Sequence, residues 1–244
     1  MSALQIQIAN KSFHNPQRQI CTIRNLQLEV AANQFVCLVG PSGCGKTTLL
    51  NIVAGLDTQF AGKVSIANQE RTPHIGYVFQ NPRLLPWRTV RENIELVFDN
   101  RIATQLIDEL LTSLQLTEVQ HSYPERLSLG MQRRVAIIRA FAINPDILLM
   151  DEPFVSLDAP SARQIRNALR ELWQQRPHTV LFVSHDLREA IALADRLIFL
   201  SASPMQIVAD IAVNIAPQLR NDSNAIEAFR DHLLLDYPAI NRLL

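Results

Sequence analysis

Seven glycines occur in 244 residues, and three of them, Gly40, Gly43 and Gly45, crowd into one short stretch. Something there requires bare backbone. The stretch is preceded by the apolar, β-prone run Phe35-Val36-Cys37-Leu38-Val39 and followed by Leu49-Leu50-Asn51-Ile52-Val53-Ala54-Gly55, whose spacing is helical and which ends on a glycine stop. Strand, glycine-rich turn and helix therefore follow one another, and Gly40, Gly45, Lys46 and Thr47 meet the spacing G-x-x-x-x-G-K-[ST]. The chemistry of that spacing is phosphate binding: successive backbone N–H groups and the positive end of a helix wrap the phosphates of a nucleotide. Lys46 is expected to pair with the β- and γ-phosphates and Thr47 to ligate Mg2+, with Pro41, Ser42, Gly43, Cys44 and Thr48 completing the cradle. Cys44 stands near a helix N-terminus, an environment expected to lower its thiol pKa and make it reactive.

Composition removes other classes. The chain is 48% hydrophobic and 19% charged, as a soluble globular protein is, with 23 basic residues balancing 23 acidic ones. No global field then favours nucleic acid or anionic lipid, so an anion must be held by a local site. Three cysteines without a C-x-x-C pair argue against a disulfide framework or a zinc site and for a reducing compartment. No apolar run approaches the ~20 residues of a membrane span, and the N-terminus does not read as a secretory signal.

Along the chain, Leu4, Ile6 and Ile8, then Leu26, Leu28 and Val30, alternate with polar residues and predict an initial antiparallel sheet. Lys63–Ala67 and Ile75–Phe79 read as two more strands. From Thr89 to Leu116 the character is helical, opened by a capping box at Thr89 and Glu92. Beyond Val135 apolar strands at 147–150, 180–183 and 197–200 alternate with helical segments at 161–173 and 187–193, the pattern of a parallel α/β sheet. A closing helix is expected over 224–235. The strand 147–150 ends in two carboxylates, Asp151 and Glu152, and the carboxyl ends of parallel strands face the ligand crevice. Asp151 is placed to hold Mg2+, and Glu152 to orient and deprotonate an attacking water.

With these motifs in place the chain resembles the ATP-binding cassette (ABC) ATPase subunits of transporters, over nearly its full length. Phe13 matches the aromatic that stacks on adenine. Gln80 matches the glutamine that contacts Mg2+ and senses the transport partner. Leu127-Ser128-Leu129-Gly130-Met131 stands where the signature L-S-G-G-Q belongs and departs from it at Leu129 and Met131. Asp158 in Ser156-Leu157-Asp158 matches the D-loop, and His185 matches the switch histidine that contacts the γ-phosphate.

The resemblance implies a P-loop NTPase fold in one domain over 1–244. It has a parallel sheet core, an N-terminal antiparallel β subdomain, a helical subdomain at about 85–135 and a C-terminal tail over 214–244. It implies ATP and Mg2+ as cofactors. A second copy would form an ATP-sandwich dimer, in which Ser128 and Gly130 of one chain meet the nucleotide on the other. The segment from Gln80 to Trp87, with Leu84-Leu85-Pro86-Trp87 between Arg83 and Arg88, resembles the nitrate, sulfonate and taurine import group, whose relatives also move pyrimidine precursors of thiamine. It is read as the docking surface for a membrane permease. An extracytoplasmic solute-binding protein belongs to such a system, and the location implied is peripheral, on the cytoplasmic face of the inner membrane. No appended regulatory domain and no nucleic-acid partner are expected. Three alternatives stay open at this point: an ABC-type ATPase working on nucleic acid or ribosomes, a P-loop kinase or other monomeric NTPase, which would not need Ser128 and Gly130, and a degenerate cassette of weak activity, for which Leu129 is the main hint.

Overall fold

The computed structural model describes residues 2–15, 18–66, 73–98 and 103–243. The chain divides into two compact units, Met1–Thr72 with Thr179–Leu244, and Pro73–His178. The first unit opens with two long strands, β1 (Ser2–Asn15) and β2 (Arg18–Ala31), paired antiparallel with Leu4 opposite Val30, Ile6 opposite Leu28 and Ile8 opposite Leu26. All six side chains are buried, so the period-two pattern marks the face that packs. Strand β3 (Phe35–Val39), buried at every position, leads through the glycine turn into helix α1 (Lys46–Val53). Strand β4 (Ala61–Ile66) then pairs antiparallel with the other edge of β1.

The second unit begins with β5 (Ile75–Val78) and carries helices α2 (Val90–Glu95), α3 (Thr104–Ser113) and α4 (Leu129–Ala142). Strand β6 (Ile147–Asp151) pairs parallel with β5, and α5 (Ala159–Gln175) follows. The expected capping box is formed: the Thr89 hydroxyl accepts from the Glu92 N–H while the Glu92 carboxylate accepts from the Thr89 N–H.

The chain returns to the first unit with β7 (Thr179–Val183), α6 (Leu187–Leu193), β8 (Arg196–Leu200), β9 (Ile207–Ala212) and α7 (Ser223–Asp236). Here β3 lies between β7 and β8 in parallel pairing, and β9 closes the edge antiparallel to β8. Expected and observed elements agree in type, with shifted ends. The strand expected to run through Phe79 stops at Val78, and Ala67 lies outside the described residues. Strand β9 escapes a sequence reading because Ile207-Val208-Ala209-Asp210-Ile211-Ala212 shows no polar alternation. No helix among the described residues is long and apolar enough to cross a membrane.

Candidate functional site

The phosphate loop of the first unit is shaped by contacts that only glycine permits. At Gly45 φ is +113°, and a Cβ there would stand 2.6 Å from Thr22 Cγ2; a Cβ on Gly40 would meet the Leu200 carbonyl oxygen at 2.9 Å. Helix α1 starts on Gly45 with no side-chain cap, so the N–H groups of its first turn have no intrachain acceptor from a capping residue. Lys46 is folded back into the loop, where its ammonium donates to the carbonyl oxygens of Gly40 (2.7 Å) and Pro41 (2.9 Å). Ser42, Gly43 and Thr47 are exposed, and Pro41 and Thr48 half-buried.

Cys44 corrects its expectation. The thiol is buried, and burial pushes its pKa up; the neighbouring Lys46 charge opposes this without reversing it. The Lys46 ammonium comes within 3.9 Å of the sulfur, but the cost of burying a thiolate outweighs it.

Phe13 is 47% exposed, which excludes a role in the strand core. The buried Lys11 ammonium lies 4.5 Å from its ring centroid and is itself held by the Asp57 carboxylate and the Gln59 carbonyl oxygen (2.9 Å). An aromatic face steadied by a fixed cation suits stacking on a base. His185 is exposed in the turn between β7 and α6. That turn is tied down by buried Ser184, whose hydroxyl donates to Glu189, and by Asp186, whose carboxylate caps α6.

In the second unit, Asp151 ends β6 nearly buried, and Glu152 follows in the left-handed region with φ +47°. A non-glycine residue held there is strained and turns its side chain away from the strand direction. The Gln80 side-chain amide donates to the Glu152 carboxylate at 3.1 Å, so two of the expected residues meet directly. Ser128 caps α4, its hydroxyl accepting from the Met131 N–H at 3.3 Å, as a serine at that position should. Ser128 and Leu129 are exposed at the start of the helix. Asp158 is used as the N-cap of α5, and the Ser161 hydroxyl and N–H hold its carboxyl below the usual range.

The segment from Gln80 to Trp87 shows a feature the sequence reading did not assign. Asn93, fully buried on α2, accepts from the Leu85 N–H (2.8 Å) and donates to the carbonyl oxygens of Leu85, Arg88 and Thr89. From α4, Arg139 donates to the carbonyl oxygens of Pro82 (2.9 Å) and Arg83 (3.0 Å). The Arg83 guanidinium lies over the Phe79 ring at 3.9 Å, and Phe79 stacks on Tyr77 with centroids 4.0 Å apart. The backbone is thus fastened from within while Trp87, 68% exposed, projects outward. Asn93 had a signal: it occupies a core position of the stripe Val90, Asn93, Ile94, Val97, where an amide signals a buried hydrogen-bonding task. Arg139 had none.

Residues 23–155 match the ABC transporter family. The chain belongs to it. The chain is 37% identical over 240 residues to an aliphatic sulfonates import ATP-binding protein (SsuB) of Bacillus subtilis, covering 96% of this chain and 94% of that protein. It is 37% identical over 218 residues to a nitrate import ATP-binding protein (NrtD) of Synechococcus elongatus, covering 85% and 80%. Among solved structures, the ATP-binding cassette MJ0796, a dimer in a post-hydrolysis state with ADP and Pi, matches with a TM-score of 0.76 and 28% identity, covering 87% of this chain and all of that one. The resemblance drawn from the motifs is therefore a family membership, and the expected P-loop α/β fold is the fold of those cassettes.

Proposed function

We propose that this ABC chain is the ATP-binding and ATP-hydrolysing subunit of an importer, working as a pair of identical copies on the cytoplasmic face of a membrane. It would power uptake of a small solute through a separate permease. The names of its relatives and the Gln80 to Trp87 segment favour a sulfonate-, nitrate- or taurine-like solute, or a pyrimidine precursor of thiamine, delivered by an extracytoplasmic binding protein. The observation that carries the reading is the Gln80–Glu152 hydrogen bond at the root of a fastened loop that presents Trp87. A membrane partner pressing on that loop has a short path to the carboxylate, along the backbone to Gln80 and across one hydrogen bond.

The residues present fit Mg-ATP. Among the described residues no group of three or more His, Cys, Asp or Glu comes together, so a metal must take most of its ligands from elsewhere. The Thr47 hydroxyl and the Asp151 carboxylate are hard oxygen donors of the kind that hold Mg2+ alongside nucleotide phosphates and water. That they serve one ion, with Gln80, is what the family pattern implies. When bound, Mg2+ neutralises phosphate charge. Lys46 exchanges its loop carbonyls for phosphate oxygens, and Phe13 stacks on the base. Glu152 accepts a proton from the attacking water, and His185 donates to the γ-phosphate. Ser128, Gly130 and Asp158 meet the nucleotide of the opposite copy.

Affinity purification of the chain from solubilised membranes tests the reading. A polytopic membrane protein should accompany it, and Trp87→Glu should lose that protein while ATP binding persists. Recovery of nucleic acid or ribosomes instead would overturn it.

A further inference from the structure

Four side chains of α4 reach backbone carbonyl oxygens in four different segments of the second unit. Gln132 donates to Pro124 and Leu127, Arg133 to Glu152 and Pro153, Arg134 to Leu114, and Arg139 to Pro82 and Arg83. Arg133 differs from the others in what it holds. The residue is 4% exposed, and its guanidinium donates through Nη1 to the Glu152 carbonyl oxygen at 3.2 Å and to the Pro153 carbonyl oxygen at 3.1 Å, while its Nε has no partner. A buried cation with an orphaned donor is a poor means of stabilising a fold, because the desolvation of the charge is repaid only in part by two carbonyl dipoles and the charge of Glu152. A hydrophobic side chain would fill the space at lower cost. What the arginine does provide is a fixed grip on the two successive peptide groups that follow the Cα of Glu152, the residue kept at φ +47°.

We propose that Arg133 is a positioning residue for Glu152, tying the helix that begins at Ser128 to the peptide groups that aim the carboxylate. Arg133 lies five positions after Ser128, about 7.5 Å of helical rise, so the two share one rigid element. A phosphate gripped at the start of α4 then bears on Glu152 of the same chain through Arg133. The two nucleotides of a dimer would thus be linked by a path distinct from the Gln80 contact. This inference rests on Glu152 being the base.

The test is steady-state ATPase activity of the full chain assembled with its permease, for Arg133→Met and Arg133→Gln, each alone and combined with Glu152→Gln. Arg133→Met should lower kcat about 10- to 100-fold and change the KM for ATP by less than about twofold, since no ground-state contact to nucleotide is lost. Arg133→Gln, whose amide can reach one carbonyl, should recover part of the loss. Neither substitution should slow Glu152→Gln further. Parental kcat in Arg133→Met overturns the inference, and so does an equal fold loss in the two backgrounds, because Arg133 would then act elsewhere. If Arg133→Met does not fold, Arg133→Gln is judged by the same two criteria. Parental turnover by Glu152→Gln alone overturns the base assignment as well, which separates the two failures.

Discussion

The phosphate loop of the first unit and the Gln80 to Trp87 loop of the second are held in opposite ways. The former is fastened by its own residues: Lys46 bonds back to Gly40 and Pro41, Cys44 N–H to the Pro41 carbonyl oxygen, and glycine is demanded where Thr22 and Leu200 press close. The latter is fastened by residues outside it, Asn93 on the helix that follows and Arg139 on α4, and contains no glycine although Arg83 stands at φ +49°. A self-held loop keeps its form while a ligand replaces its internal bonds. A loop held from two helices moves when either helix moves, which suits a part that must report a partner's position.

The largest test of that contrast is Lys46→Ala. Losing the ammonium removes a charged partner of the phosphates, and ATP affinity should fall about a thousandfold, roughly 4 kcal/mol, with little loss of thermal stability. An unchanged binding isotherm would remove the phosphate loop from the site. Asn93→Ala should do the reverse. With the Leu85 N–H and the Arg88 carbonyl oxygen losing the Asn93 amide, while the Leu85 and Thr89 carbonyl oxygens keep only their backbone donors, about 2–4 kcal/mol of stability should go. Permease-stimulated turnover should go with it, and ATP affinity should hold. If calorimetry finds Asn93→Ala as stable as the parent, the loop is not latched as described.

A smaller effect is expected at Leu129, exposed at the start of α4, where the family signature has glycine. Leu129→Gly should raise transporter turnover severalfold by relieving crowding against the opposite nucleotide, without altering ATP binding by a single copy. A fall in turnover would mean that the leucine is accommodated. Smallest of all, Cys44→Ala should shift ATP affinity by less than about twofold, since the thiol packs as a small hydrophobe. Alkylation at neutral pH should mark Cys21, the more exposed thiol, well before Cys44. Rapid nucleotide-sensitive labelling of Cys44 would show that the loop opens further than its burial implies.

The same contrast explains what the sequence made legible. Gly40, Gly45, Lys46 and Thr47 act on each other across a few residues, so their spacing is itself the message, and the capping box at Thr89 and the cap at Ser128 are local in the same sense. Pairing of β1 with β2 was readable because burial on one face forces alternation. Arg133 and Arg139 were not readable, because their partners lie 19 to 57 positions away in sequence and are peptide carbonyls without any side-chain mark. Cys44 misled because its neighbours in sequence favour an ionised sulfur while its surroundings in space do not. The left-handed turn at Glu152 also gave no sign, since no glycine stands there.

The choice of carbonyl oxygens as partners for Arg133, Arg134 and Arg139 has a bearing on how such a chain can diverge. Every residue, proline included, carries the same acceptor, so Pro82 and Leu114 can be exchanged by mutation without loosening their hold on α4, while Arg83, at φ +49°, admits fewer replacements. Substitutions there call for no compensating change in the arginines. A comparison of many descendants would show three steady arginines beside drifting neighbours, and correlated-substitution methods would pass over the links that bind this unit most widely. The loop facing a permease is then free to change its surface to follow a changing partner, while its attachment to the rest of the unit is inherited unaltered.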